Sequence, residues 1–277
     1  MRVPRVSTAM DLSRALGWLP DAQYINSPRA KPKALHVWHE PDYVAALQAA
    51  EISQEISDED RKRFQLGTVS NPIYPEVYRR PATAAGASLL SGELLRYGGI
   101  IYHPGGGTHH GMPGYANGFC YLNDPVLAIL SLKRNGARRV AYVDIDAHHA
   151  DGVEHGFADD PEAAQTMGAA GREVYNLPVP RGRNDTEMAL IREKLILPLV
   201  VEFEPDAIVL QCGADAVEED PLSKLELSNN AHWAIVAGLK ALGAARRLVL
   251  GGGGYNPWSV GRLWTGVWGV LNGHTPP

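Results

Sequence analysis

The sequence predicts an α/β fold: one domain over residues 1–277, with a mostly parallel sheet flanked by helices. Two observations carry that expectation. Short apolar runs alternate with longer segments of helical periodicity, the pattern of strands joined by crossover helices and covered on both faces. Ionisable residues follow directly after several of those runs, where open α/β sheets keep their ligands, beyond the carboxyl ends of the strands. A length of 277 residues suffices for one large domain and requires no second.

Bulk properties narrow the function. Hydrophobic content of 45% and charged content of 21% are ordinary for a soluble globular chain. A net charge of -5 offers no basic field to displace counterions, so no nucleic-acid partner is expected. No apolar run approaches membrane-spanning length, and Met1–Arg5 is not followed by a signal-peptide core, so no membrane partner is expected. Cys120 and Cys212 alone make no disulfide scaffold, and the expected compartment is a reducing cytoplasm. Many of the 29 glycines fall in two clusters, Gly105–Gly107 and Gly251–Gly254, which let backbone approach a site closely or take positive φ.

In chain order, Ser7 is placed to cap a first helix running to Leu16 and closed by Gly17. A second helix starts at Glu40-Pro41, with Pro41 near its first turn. Residues 51–63 read as solvated, 66–78 as turn-rich, and 81–96 as a small-residue helix suited to packing on a sheet. Gly99–Tyr102 is a short strand, followed at once by the glycine loop and His109-His110. Imidazoles suit proton transfer near neutral pH. Asp124 and Pro125 then open a helix to about Asn135 as cap and first residue. Phe119 is open to two readings, core residue or pocket wall.

Val140–Val143 forms the next strand, and beyond it polar residues arrive with period two. An extended chain points Asp144, Asp146 and His148 to one side. Two carboxylates and an imidazole at a buried strand end need a cation or a proton network, and the ligand types suit zinc or ferrous iron. A polar turn with solvated acids is the alternative at this point. Residues 185–203 read as one long helix whose apolar set, Met188, Ile191, Leu195 and Leu199, belongs to the core. The strand ending at Gln211 leads to Asp215, and the strand ending at Leu250 leads through four glycines to Tyr255, with Asn256-Pro257 capping the last helix.

Five stretches, taken in order, resemble the histone deacetylase superfamily, and within it the bacterial acetoin-utilisation and acetylpolyamine-type deacetylases. They are Gly106–Gly111, Gly118–Tyr121, Asp144–Gly152, Gly213–Asp215 with Asp220–Leu222, and Gly251–Asn256. The resemblance covers residues 5 to 270 and implies an arginase/deacetylase-type fold. It implies one divalent metal, Zn2+ with Fe2+ as the other possible ion, on Asp146, His148 and Asp215. It makes His110 the general base, partnered by Asp151, and His109 an electrostatic assistant paired with Asp144. Tyr255 becomes the donor to the carbonyl oxygen, Gly118 and Phe119 line the channel, and Arg5 matches an arginine of an internal exit channel. The implied partner is an acetylated protein or a small acetylated amine.

Three departures accompany it. The family's usual first strand is not found before Arg5, so either the start was set late or the fold lacks an edge element. Residues 158–172 contain no strand-like run, which touches both the channel wall and a monovalent-cation (K+) site. Ser70 stands where the rim aspartate belongs, which suggests looser peptide recognition. The leading expectation is therefore hydrolysis of acetyl, or a short acyl, from acetyl-lysine in protein. An acetylpolyamine hydrolase ranks lower because Leu222 stands where an acid is expected. A binding protein that lost turnover is the reading from another class, and an arginase-like enzyme is disfavoured for want of aspartate ligands.

Overall fold

The computed structural model describes residues 4–158, 163–166 and 174–277. Five helices precede the first strand: α1 (Arg5–Ala15), α2 (Pro32–Leu35), α3 (Pro41–Ser53), α4 (Asp58–Phe64) and α5 (Arg79–Leu94). Strand β1 (Gly99–His103) follows, and then α6 (Asp124–Arg134), β2 (Val140–Asp144), α7 (Asp151–Phe157), β3 (Ala163–Thr166) and β4 (Val174–Tyr175). The remainder comprises α8 (Asp185–Ile191), α9 (Leu197–Phe203), β5 (Ala207–Gln211), α10 (Asn229–Ala241), β6 (Arg246–Leu250) and α11 (Pro257–Leu271). Among the described residues the strands form one parallel sheet in the order β1-β6-β5-β2-β3-β4.

Alternation along the central strands sorts their side chains between two helical layers. Ala141, Val143, Ile208 and Leu210 pack with residues of α8 to α11, whereas Val140, Tyr142, Ala207 and Val209 pack with α6 and α7. A further core joins α3, α4 and α5 to Tyr121 and Leu122, ahead of α6. Burial on both faces is why β2 and β5 read as continuous apolar runs. Register matters most for function. Asp144 pairs with Gln211, Gln211 with Leu250 and Leu250 with His103, so four strands end level and deliver their loops to one place. Among the described residues no helix is long and apolar enough to cross a membrane.

Local corrections follow from packing. A strand does form within residues 158–172: β3 pairs in parallel with β2, from Val140↔Ala163 to Val143↔Thr166. Ala-Ala-Gln-Thr has little β-propensity of its own, so the open hydrogen-bonding edge of β2 imposes the strand. Residues 159–162 and 167–173, the rest of the segment whose sequence puts the channel wall and a K+ site in doubt, lie outside the described residues. The long helix over 185–203 contains one wide turn at Arg192–Ile196. Pro198 has no N–H to give to the preceding turn and would crowd it, which favours the widening. That extra residue shifts the buried stripe, so Ile196 and Val200 enter the core and Leu195 is exposed. Ser7 lies inside α1, which starts after the extended Pro4. The cap of α6 is Asn123, not Asp124.

Candidate active site

A buried polar frame shapes the loop after β1. The fully buried Asp124 carboxylate accepts from the Gly107 and Thr108 N–H groups at 2.9 and 2.8 Å, from the Thr108 hydroxyl at 2.6 Å and from the Ser88 hydroxyl at 2.8 Å. Four donors satisfy a charge that would otherwise be costly to bury. Asn123 donates its amide to the His109 and Gly111 carbonyls at 3.1 and 2.9 Å. Its own N–H donates to His39 Nε2 at 3.0 Å, while His39 Nδ1 faces the Met112 carbonyl at 3.1 Å. Burial pushes His39 down to about 4, so the ring is neutral and both nitrogens serve the frame. Sequence reading treats Asn123-Asp124 as a helix start alone; two adjacent polar residues between apolar Leu122 and Val126 were the available signal.

On this platform Asp146, His148 and Asp215 converge, with one ligand atom from each lying within 4.8 Å of the others. His148 Nδ1 is 3.1 Å from Asp146 Oδ1 and 3.1 Å from Asp215 Oδ2. Asp146 also accepts from the Gln211 amide at 2.8 Å and the Gly253 N–H at 3.0 Å, and Asp215 from the Ala147 N–H at 3.2 Å. A Cβ on Gly213 would lie 2.0 Å from Asp146 Oδ2, and one on Gly253 would lie 1.9 Å from Asp215 Oδ2. Glycine is the residue that lets both turns close over the carboxylates.

Electrostatics agree with a cation site. Burial and the neighbouring Asp146 charge push Asp215 up to about 6. Burial also opposes charge on Asp146, but His109, His148, Gln211 and Gly253 outweigh it and hold this carboxyl well below the usual range. The two carboxylates raise His148 to about 10. Two buried acids thus demand positive charge, which a protonated His148 or a divalent cation supplies. Two carboxylates and one imidazole fit such an ion and leave positions open, the pattern of a catalytic site. Asp144 is not part of the cluster. Strand β2 ends there, and its oxygens go to His109, the Tyr142 hydroxyl at 2.6 Å and the Asp146 N–H at 3.0 Å.

Two histidine–aspartate pairs stand beside the ligands. His109 Nδ1 is 2.7 Å from Asp144 Oδ2, and both side chains are buried. His110 Nδ1 is 2.7 Å from Asp151 Oδ1, whose other oxygen accepts from the Asn117 amide at 2.7 Å. The Nε2 atoms of the two rings are 3.2 Å apart. Burial disfavours charge on His109, but Asp144 and Asp146 override it and raise the ring to about 9. Burial likewise works against the Asp151 charge; His110, the Gly152 N–H and Asn117 outweigh it and lower the carboxyl.

Gly118 and Phe119 sit at φ 52° and 63°, the tip of a turn closed by mutual backbone hydrogen bonds between Asn117 and Cys120. Left-handed geometry at Phe119 costs about 1 kcal/mol. The Asn71 side chain secures it by accepting the Phe119 N–H at 3.0 Å. A Cβ on Gly118 would sit 2.7 Å from the His110 ring, so glycine here lets the turn lie against the imidazole. Phe119 is 59% exposed and so is not a core residue. Buried Asp220 accepts from the Leu222 N–H at 3.0 Å and the Tyr255 N–H at 2.5 Å, placing two exposed side chains together. Arg5 donates to the Gly254 carbonyl at 2.5 Å and stacks over Trp264, bracing the glycine turn from behind. Burial raises the Tyr255 hydroxyl to about 12, with Asp215 and Asp146 adding to it. Ser70 is exposed.

A parallel α/β sheet whose level strand ends carry a candidate metal site beside paired histidines is the class that fold and site define. The family model for the histone deacetylase domain matches residues 1–166 and 162–271, and the chain belongs to the histone deacetylase family. It is 28% identical to the acetoin utilization protein AcuC of Bacillus subtilis, over 98% of this chain and 77% of that one. It is 33% identical to histone deacetylase 1 of Oryza sativa, over 99% of this chain and 56% of that one. The chain thus spans about three quarters of the bacterial relative and little more than half of the plant one. Among solved structures, a histone deacetylase homologue from Aquifex aeolicus superposes with TM-score 0.91 at 32% identity, covering 99% of this chain and 79% of that one. A homologue complexed with SAHA matches equally well.

Proposed function

We propose that this chain is a zinc-dependent deacetylase that removes acetyl, or another short acyl, from N-acetylated amines, with acetyl-lysine of proteins as the leading substrate. The observation that carries the reading is the pair of histidine–aspartate couples, 3.2 Å apart at Nε2, set against the Asp146, His148 and Asp215 ligands. A divalent ion held there would polarise the acyl carbonyl and acidify a water. His110 takes the proton of the attacking water at Nε2, because Asp151 occupies Nδ1 and fixes the ring. It then delivers that proton to the leaving nitrogen as the C–N bond breaks, giving acetate and the free amine. His109, kept cationic by Asp144, steadies the negative charge that develops beside it. The Tyr255 hydroxyl, titrating near 12, remains a donor at neutral pH and meets the oxyanion. Leu222, lacking a charge to attract a polyamine, supports acetyl-lysine over acetylpolyamines.

The test is acetate release from acetyl-lysine peptides and acetylpolyamines by the zinc-loaded protein. Tyr255→Phe should lower kcat by roughly 100-fold with metal content unchanged, the scale of losing one oxyanion donor. No acetate from any substrate, or full turnover by the variant, overturns the reading.

A further inference from the structure

A groove of about 600 Å³ opens beside the site, lined in part by Arg63, Thr68, Ser70, Asn71, Tyr115 and Asn117. It shares its wall with the catalytic constellation. Asn71 faces the groove and holds the Phe119 backbone, and Asn117 faces it and holds Asp151. A substrate whose acyl-amine chain lies along Phe119 therefore has its continuation at the groove.

The lining chemistry is one-sided. Arg63 is the one charged residue among the lining residues, and its ion-pair partner, Asp42, is not among them. Its guanidinium carbon stacks 4.7 Å from the Phe64 ring centroid, and one nitrogen donates to Asp42 at 3.0 Å. Stacking and this single bond orient the fork while leaving further N–H donors for a ligand. Ser70 adds an exposed hydroxyl and Tyr115 a partly exposed phenol. Donors around a half-exposed guanidinium match a carboxylate, and they disfavour the cationic tail of a polyamine.

We infer that this groove is a subsite for a carboxylate carried by the part of the substrate beyond the acylated amine. The inference rests on the deacetylase reading and names its substrate class: acetyl-lysine next to an acidic residue, or acetyl-lysine with its own free α-carboxylate. Loss of the rim acid at Ser70 then goes with a changed preference, not merely a weaker one.

The experiment uses zinc-loaded full chain and matched substrate pairs. One pair is acetyl-lysine with a free α-carboxylate against its carboxamide; the other is an acetyl-lysine peptide with Glu against Gln as neighbour. The acid member of one pair should show about 10-fold higher kcat/KM, carried by KM, and the pair that shows it identifies the source of the carboxylate. Arg63→Gln should bring the ratio to about 1, while Asp42→Asn, which releases Arg63 from its competing acid, should raise it. Calorimetric binding of the same pairs reads the preference without turnover. A protein that binds with the acid preference but hydrolyses nothing fails as a deacetylase and keeps the subsite. Equal binding and equal kcat/KM within both pairs, or a preference that survives Arg63→Gln, overturns the subsite alone.

Discussion

His109–Asp144 and His110–Asp151 are the same chemical couple, both 2.7 Å long, on adjacent residues of one loop, yet their surroundings differ. The first pair is sealed, each side chain 4% exposed, and Asp144 is further tied to Tyr142 and the Asp146 backbone. The second is open, 19% and 37% exposed, with Asp151 held by the Asn117 amide and the Gly152 N–H. Burial opposes charge on His109, but Asp144 and Asp146 outweigh it and raise the ring to about 9, so in the proposed reaction it serves as a fixed field. In the proposed reaction the more open His110 is the ring that exchanges a proton with water or an amine, so burial, not residue type, divides the labour.

Removing the centre that both pairs face should have the largest effect. Asp215→Ala should lose bound metal and all measurable turnover, checked by elemental analysis beside the assay; full metal retention would falsify the ligand assignment. Next come the pairs themselves. His110→Gln should lower kcat by on the order of 1000-fold, the scale of general acid–base catalysis, and His109→Gln by about 10-fold, both with metal retained. If His109→Gln is the more severe, the division of labour runs the other way.

Stability should reverse that ranking. Asp144→Asn strands a buried cation and should cost about 3 kcal/mol in denaturant unfolding, against about 1 kcal/mol or less for the more exposed Asp151→Asn. Equal costs would show that burial does not separate the pairs. The smallest effect is on pH. His109 and His148 titrate near 9 and 10 in the folded chain, above the ordinary value of about 6.5. Their stabilisation is complete below about 6.5 and is lost as pH rises through 9 and 10, so the metal-free protein should melt a few degrees lower at pH 10 than at pH 6. Because ligation needs a neutral His148, zinc binding at pH 7 should release about one proton, measurable by calorimetry in buffers of different ionisation enthalpy. Release near zero would place His148 outside the ligand set.

Residue order alone determined much of this molecule. Apolar runs marked β1, β2, β5 and β6, of which β2 and β5 are buried throughout, and the ionisable residues just beyond them marked the candidate site, because a parallel sheet presents its strand ends on one side. Those signals are local in the chain. The tertiary structure decided what is not local. It sorted Asp144 away from Asp146 and His148, because β2 ends and Tyr142 and His109 claim its oxygens. It made a strand of Ala163–Thr166 from the edge of β2 and shifted the α8–α9 stripe by one residue at the wide turn. It also turned Asn123, Asp124, Gln211 and Asn117, unremarkable in the sequence, into the braces of the site. A hydrogen-bonded brace depends on a distance and a direction between residues far apart in the chain, and periodicity carries neither.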